Sequence, residues 1–120
     1  MRRISPAALA GALLIAFASA AEAQDAAKGG AVFQDRCGSC HVLNGVGQGP
    51  SLVGVAGRKA AAVPGFTYSD AMKTSGLVWT PANLDRFLAG PTRLVPDTSM
   101  RAIVSDPTER REVIAYLATL

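Results

Sequence analysis

The stretch Cys37-Gly38-Ser39-Cys40-His41 holds both cysteines and the single histidine of a 120-residue chain. A Cys-x-x-Cys-His run is the attachment pattern of a c-type haem: two thiols form thioethers with the porphyrin vinyl groups, and the adjoining imidazole reaches the iron. The spacing has a mechanical basis, since two intervening residues let the chain turn so that both sulfurs meet one porphyrin edge. Three other chemistries use the same residue types, and each lacks a component here. A thioredoxin-like redox pair expects a βαβ pattern, and a structural zinc site needs about four protein ligands. A disulfide between residues three apart closes a very small loop and leaves His41 without a role. Haem attachment uses all three side chains.

Upstream, Met1-Arg2-Arg3 is a basic start, residues 7–18 form an apolar run, and Ala21-Glu22-Ala23 has the small-x-small form of a cleavage site. Residues 1–23 therefore read as a cleavable secretory signal peptide and residues 24–120 as one domain beginning at Gln24. The apolar core is shorter than the roughly 20 residues of a spanning helix. A membrane-tethered form is the alternative if the leader stays on. Export places the product outside the cytoplasm, as a soluble protein. Free thiols would oxidise there, and placing both cysteines in the haem motif avoids that. A domain of about 97 residues has a marginal core of its own, which a covalently held haem would enlarge.

The full chain carries 12 basic and 9 acidic residues, a net charge of +3. Loss of Arg2, Arg3 and Glu22 with the leader leaves ten basic and eight acidic residues, or about +2. These cations are dispersed and not interleaved with aromatics, so nucleic acid is not an expected partner.

The domain reads as all-α, with about four to five helices and long loops. Residues 25–36 form a short helix running into the haem motif, with Gly29-Gly30 suited to close approach of another backbone. From Asn44 to Leu52 the glycines and Pro50 exclude regular structure. A ligating histidine usually donates its second ring N–H to a carbonyl, and one near Pro50 is the candidate acceptor. Gly57-Arg58-Lys59 and Pro64 to Tyr68 also read as loop. Ser69 caps a short helix that Gly76 stops. Thr80-Pro81 starts another, with Leu84, Phe87 and Leu88 on one face and Gly90-Pro91 as its end. Residues 93–105 read as an irregular loop carrying Met100. Asp106-Pro107-Thr108-Glu109 then combines an N-cap, a first-position proline and a capping-box glutamate ahead of Val113, Ile114, Leu117 and Leu120. No strand pattern or repeat appears.

What faces the iron opposite the histidine decides function: an open site binds or activates small molecules, whereas a methionine thioether closes it and favours electron transfer. Without a second histidine the candidates are Met72, in a helix where it could simply fill apolar space, and Met100, with an open or water-filled site as the third case.

A longer series of motifs resembles the class I, mitochondrial-type cytochromes c, as a bacterial periplasmic member. It runs through Lys28-Gly29 with Phe33, the haem motif, Gly49-Pro50-Ser51-Leu52, Gly57-Arg58-Lys59, Pro64-Gly65-Phe66-Thr67-Tyr68-Ser69-Asp70-Ala71, Trp79, Pro96-Asp97-Thr98-Ser99-Met100 and Thr108-Glu109-Arg110 ahead of Ile114-Ala115-Tyr116-Leu117. The resemblance implies a small cytochrome c fold wrapped around one covalent haem c, with the first and last helices crossing near Gly29 and Tyr116. It implies that Cys37 and Cys40 hold the haem and that His41 and Met100 are the iron ligands. Pro50, Arg58, Tyr68, Trp79 and Thr98 stand as secondary contacts; Pro50 matches the position that orients the histidine, and Arg58, Tyr68 and Trp79 match positions that meet a buried propionate. Three departures stand out. Phe87 replaces a tyrosine that faces the methionine sulfur, Met72 replaces an asparagine, and Pro91-Thr92-Arg93-Leu94-Val95 replaces a lysine-rich stretch.

The function implied is a soluble one-electron carrier, not an enzyme. Its expected partners are redox proteins: a membrane cytochrome complex or oxidase, or a periplasmic dehydrogenase. The carrier itself is expected to act as a monomer. The rival is a haem enzyme or gas sensor with an open distal site, which would need a polar acid–base group there.

Overall fold

A computed structural model describes residues 6–45 and 47–120, with side-chain environments from residue 19 onward; the basic start Met1-Arg2-Arg3 and loop residue Val46 lie outside it. Among the described residues five helices follow one another: α1 (Pro6–Arg36), α2 (Asp70–Thr74), α3 (Pro81–Ala89), α4 (Pro91–Leu94) and α5 (Pro107–Leu117). Among the described residues the extended contacts amount to one isolated bridge, Lys59 with Val78.

The first helix is longer than expected. Instead of starting at Asp25 it runs unbroken from Pro6, because the alanine-rich N-terminal segment has high helix propensity and no proline separates it from Arg36. Residues 19–24 are exposed along this extension, and half-burial begins at Asp25 and Ala26. Asp25 Oδ2 meets Arg111 Nε of α5 at 3.2 Å. Packing thus begins one residue beyond the expected cleavage product's first residue.

Helix α1 makes its main contact with α5. Gly29 is buried at the crossing, where a Cβ would meet the Glu112 carbonyl and would lie 2.8 Å from Tyr116 Cβ. Only a hydrogen in that place lets the two backbones approach this closely. Beside it the rings of Phe33 and Tyr116 pack at 5.3 Å. Val113, the innermost residue at 0% exposure, projects from α5 into a core shared with Phe33, Trp79, Leu84, Phe87, Leu88 and Leu117.

The remaining helices are bounded by their own residues. Ser69 accepts from the Met72 N–H at 3.1 Å, Thr80 from Asn83 at 3.2 Å and Asp106 from Thr108 at 2.8 Å, each satisfying an otherwise orphaned N-terminal donor. Gly76, at φ +66, reverses the chain just beyond α2. Glu109 departs from the capping-box reading. Its Oε2 lies 3.1 Å from Arg36 Nη2, an ion pair not aligned as a hydrogen bond, so the carboxylate ties α5 to the end of α1.

The segment read as irregular from Arg93 holds a further turn of helix, α4. Gly90 ends α3 and Pro91 at once begins the next turn, because proline's fixed φ suits a first helical position. Past α4 the Thr98 N–H donates to the Val95 carbonyl at 3.1 Å, closing a turn with Pro96 and Asp97 at its corner. Asp97 takes φ +66, the left-handed conformation that short polar side chains tolerate best after glycine. This turn delivers Met100.

Candidate functional site

The last turn of α1 leads directly into the cysteine motif. The Cys37 and Gly38 N–H groups both donate to the Phe33 carbonyl at 2.8 Å, and the Cys40 and His41 N–H groups donate back to Cys37 at 3.1 and 2.9 Å. This tight turn brings both sulfurs and the imidazole to the wall of one cavity of about 380 Å³. Burial pushes the Cys37 thiol up from its ordinary pKa; the neighbouring Arg36 cation opposes this and the Cys40 sulfur adds to it. Cys40 Sγ donates to Gln48 Oε1 at 3.2 Å.

His41 Nδ1 lies 2.8 Å from the Pro50 carbonyl oxygen. A carbonyl can only accept, so Nδ1 carries a proton, and the tautomer this selects has its free lone pair on Nε2. Gly49 lies against the same ring: a Cβ there would sit 2.6 Å from Nδ1 and 2.9 Å from Nε2. Proline's carbonyl and glycine's missing side chain together orient the imidazole. The role of Gly49 was not legible in the sequence, where it is one of several loop glycines.

Every residue singled out from the sequence lines this cavity: Cys37, Cys40, His41, Pro50, Arg58, Tyr68, Trp79, Thr98 and Met100. Arg58 and Trp79 are joined through the backbone, since the Trp79 N–H donates to the Arg58 carbonyl at 2.9 Å and the Gly57 N–H to the Trp79 carbonyl at 2.9 Å. The Arg58 guanidinium donates to the Val53 carbonyl at 2.9 Å and the Ser51 carbonyl at 3.1 Å, with further N–H donors left over. Tyr68 accepts from the Val63 N–H at 3.0 Å and keeps its own O–H to donate. Thr98, only 3% exposed, accepts from the Met100 N–H at 3.4 Å and likewise keeps its hydroxyl proton.

The wall between these groups is apolar. Leu52, Val55, Leu84, Phe87, Leu88 and Leu117 contribute to it, with the Phe87 ring against Trp79 at 5.0 Å. Met72 lines it too and is 9% exposed, a core residue of α2. The full-charge side chains lining the cavity are Arg36, Arg58, Lys59 and Arg101, with no carboxylate among them. An apolar cavity of this size with two thiols, an imidazole nitrogen and a thioether suits a haem, and the cations along its wall suit its propionates.

Helices α1, α2, α3 and α5 around such a cavity define a small haem-binding electron-transfer domain. The comparisons agree: the Cytochrome c family model matches residues 26–120, and the chain belongs to that family. It is 46% identical to the cytochrome c2 of Rhodomicrobium vannielii over 116 residues, covering 93% of this chain and 92% of that one. Among solved structures it is similar to cytochrome cH from Methylobacterium extorquens, with TM-score 0.75, 43% identity and coverage of 79% of this chain and 98% of that one. The ferricytochrome c2 of Rhodopseudomonas palustris superposes with TM-score 0.74 at 38% identity, covering 79% and 97%. The chain is accordingly a haem c electron carrier rather than an enzyme, and Cys37 and Cys40 fit the covalent attachment motif. Among the described residues no helix is long and apolar enough to cross a membrane.

Proposed function

We propose that this protein is an exported one-electron shuttle in which His41 Nε2 and the Met100 thioether would both hold the haem iron. The observation that carries this reading is a single apolar cavity walled by Cys37, Cys40, His41 and Met100, with the histidine tautomer set by Pro50. Bound haem supplies the reversible one-electron couple. The chain would hold the iron's ligands still, Leu84, Leu88 and Phe87 would keep water from the cavity, and the Arg58 cation would oppose the propionate charge. The cavity wall offers neither a second histidine nor a carboxylate, so the rival peroxidase-like reading lacks its acid–base group.

The decisive test is the ferric absorption spectrum. Wild-type protein should show the weak red-end band of methionine-to-iron ligation, and Met100→Ala should abolish it. A band that survives in Met100→Ala would remove Met100 from the iron and turn attention to Met72.

Phe87 brings no donor to the cavity, so Phe87→Tyr should raise the reduction potential by drawing electron density from the sulfur. A hydrogen bond worth about 1 kcal/mol more in one oxidation state moves a one-electron potential by about 40 mV, within reach of voltammetry. An unchanged potential would make the substitution electronically silent.

Partners of the class expected are membrane cytochrome complexes, oxidases or periplasmic dehydrogenases, met through small, quickly released interfaces. Of the four cations along the cavity, Arg36 is paired with Glu109 and Arg58 is turned to carbonyls, which leaves Lys59 and Arg101. The rate with a redox partner should therefore fall only shallowly as ionic strength rises, as stopped-flow kinetics would record. A steep fall would contradict this.

Export by a cleavable leader is supported by the exposure of residues 19–24 and by solved relatives that span 79% of this chain at nearly their full length. The mass of the exported protein would test cleavage after Ala23 and covalent haem together.

A further inference from the structure

We propose that Arg110 is a positioning residue for the distal ligand: from α5 it clamps the C-terminal end of the loop that carries Met100. This rests on the reading of Met100 as an iron ligand. Arg110 Nε donates to Asp85 Oδ1 of α3 at 2.8 Å, and its Nη1 donates to the Val104 carbonyl at 3.0 Å and the Ser105 carbonyl at 2.9 Å. One planar guanidinium thus joins two helices and two consecutive loop carbonyls.

The clamp matters because of what the loop lacks elsewhere. Before Met100 the chain is held by the turn at Pro96-Asp97 and by buried Thr98. After it, Arg101, Ala102 and Ile103 are exposed and make no backbone hydrogen bond among the described residues. The next anchorage is Val104, whose N–H donates to the Leu88 carbonyl at 2.9 Å and whose own carbonyl is held by Arg110. Three unpaired residues therefore separate the thioether from the clamp. Release of the clamp would leave this end of the loop held by the Val104 N–H and its buried side chain alone, with the Val104 and Ser105 carbonyls unheld up to the N-cap Asp106.

The chemistry favours arginine specifically. The Arg110 side chain is 14% exposed, and so largely desolvated a cation needs both a counter-charge and hydrogen-bond acceptors. Asp85 supplies the first and the two loop carbonyls the second. Lysine could keep the charge but not the forked geometry that reaches both carbonyls and the carboxylate at once.

The test is imidazole binding to the ferric, haem-loaded protein, whose rate is limited by departure of the native distal ligand. Arg110→Met should speed binding about tenfold, the weight of one or two buried hydrogen bonds, and Arg110→Lys should restore part of the difference. Tyr116→Leu, which loosens the α1–α5 contact away from the loop, serves as a control for general destabilisation. If Tyr116→Leu accelerates binding as much as Arg110→Met at equal loss of stability, or if Arg110→Met binds at the wild-type rate, the clamp is overturned. Met100→Ala separates the two readings. Fast binding by Met100→Ala beside an unaltered Arg110→Met sinks the clamp alone, whereas wild-type-rate binding by Met100→Ala removes the distal ligand and the clamp with it.

Discussion

Gly29→Ala should destabilise the haem-loaded protein severely, while Gly30→Ala, one residue away, should be neutral or slightly stabilising. Both changes remove a helix-interior glycine, which by propensity alone favours the folded state by about 1 kcal/mol. What separates them is the partner. The new Cβ at Gly30 meets only the Tyr116 ring, at 3.4 Å, an edge that can swing aside. At Gly29 it meets backbone, the Glu112 carbonyl, and the backbone cannot yield unless α1 and α5 separate. Overpacking costs about 1–3 kcal/mol where side chains absorb it, and more where they cannot. A small domain stable by about 5–15 kcal/mol has little in reserve. Guanidinium unfolding would show a midpoint well below wild type for Gly29→Ala. Equal midpoints for the two variants would mean that the helix crossing is not the constraint described.

The second large effect is expected at Gly49. Its backbone lies outside the left-handed region, so Gly49→Ala brings no conformational strain and acts through sterics alone. The methyl would occupy space held by the His41 ring and push it off the Pro50 carbonyl. Loss of such an outer hydrogen bond typically weakens a metal ligand 10–100-fold. In the proposed site the imidazole of Gly49→Ala should therefore leave the iron at a lower guanidinium concentration than in the wild type. Guanidinium titration of the ferric spectrum would read the shift directly, and coincident curves for wild type and Gly49→Ala would refute it.

Much of this molecule is legible one segment at a time. The haem motif, the caps at Ser69, Thr80 and Asp106, and the reversal at Gly76 depend on hydrogen bonds and backbone preferences spanning a few residues. Where local reading failed, a competing interaction was stronger. The alanines of the N-terminal segment carry α1 back to Pro6, because nothing in the sequence breaks the helix at the expected processing point. Glu109 leaves its capping role for Arg36, a partner 73 positions away that local spacing cannot reveal.

By itself the sequence determined the chemistry of attachment: two thiols and one imidazole in five residues commit the chain to a covalent haem, and without a second histidine the residues alone leave Met72, Met100 or an open site opposite it. Only the tertiary structure decided how those groups are held. It placed Gly49 on the imidazole, joined Arg58 to Trp79 through paired backbone, and brought Arg110 from the last helix to the end of the Met100 loop. The physical reason is range. Attachment chemistry and helix caps are encoded by neighbours along the chain, whereas the rigidity of the site comes from close approach between segments tens of residues apart, which exists only once the helices have packed.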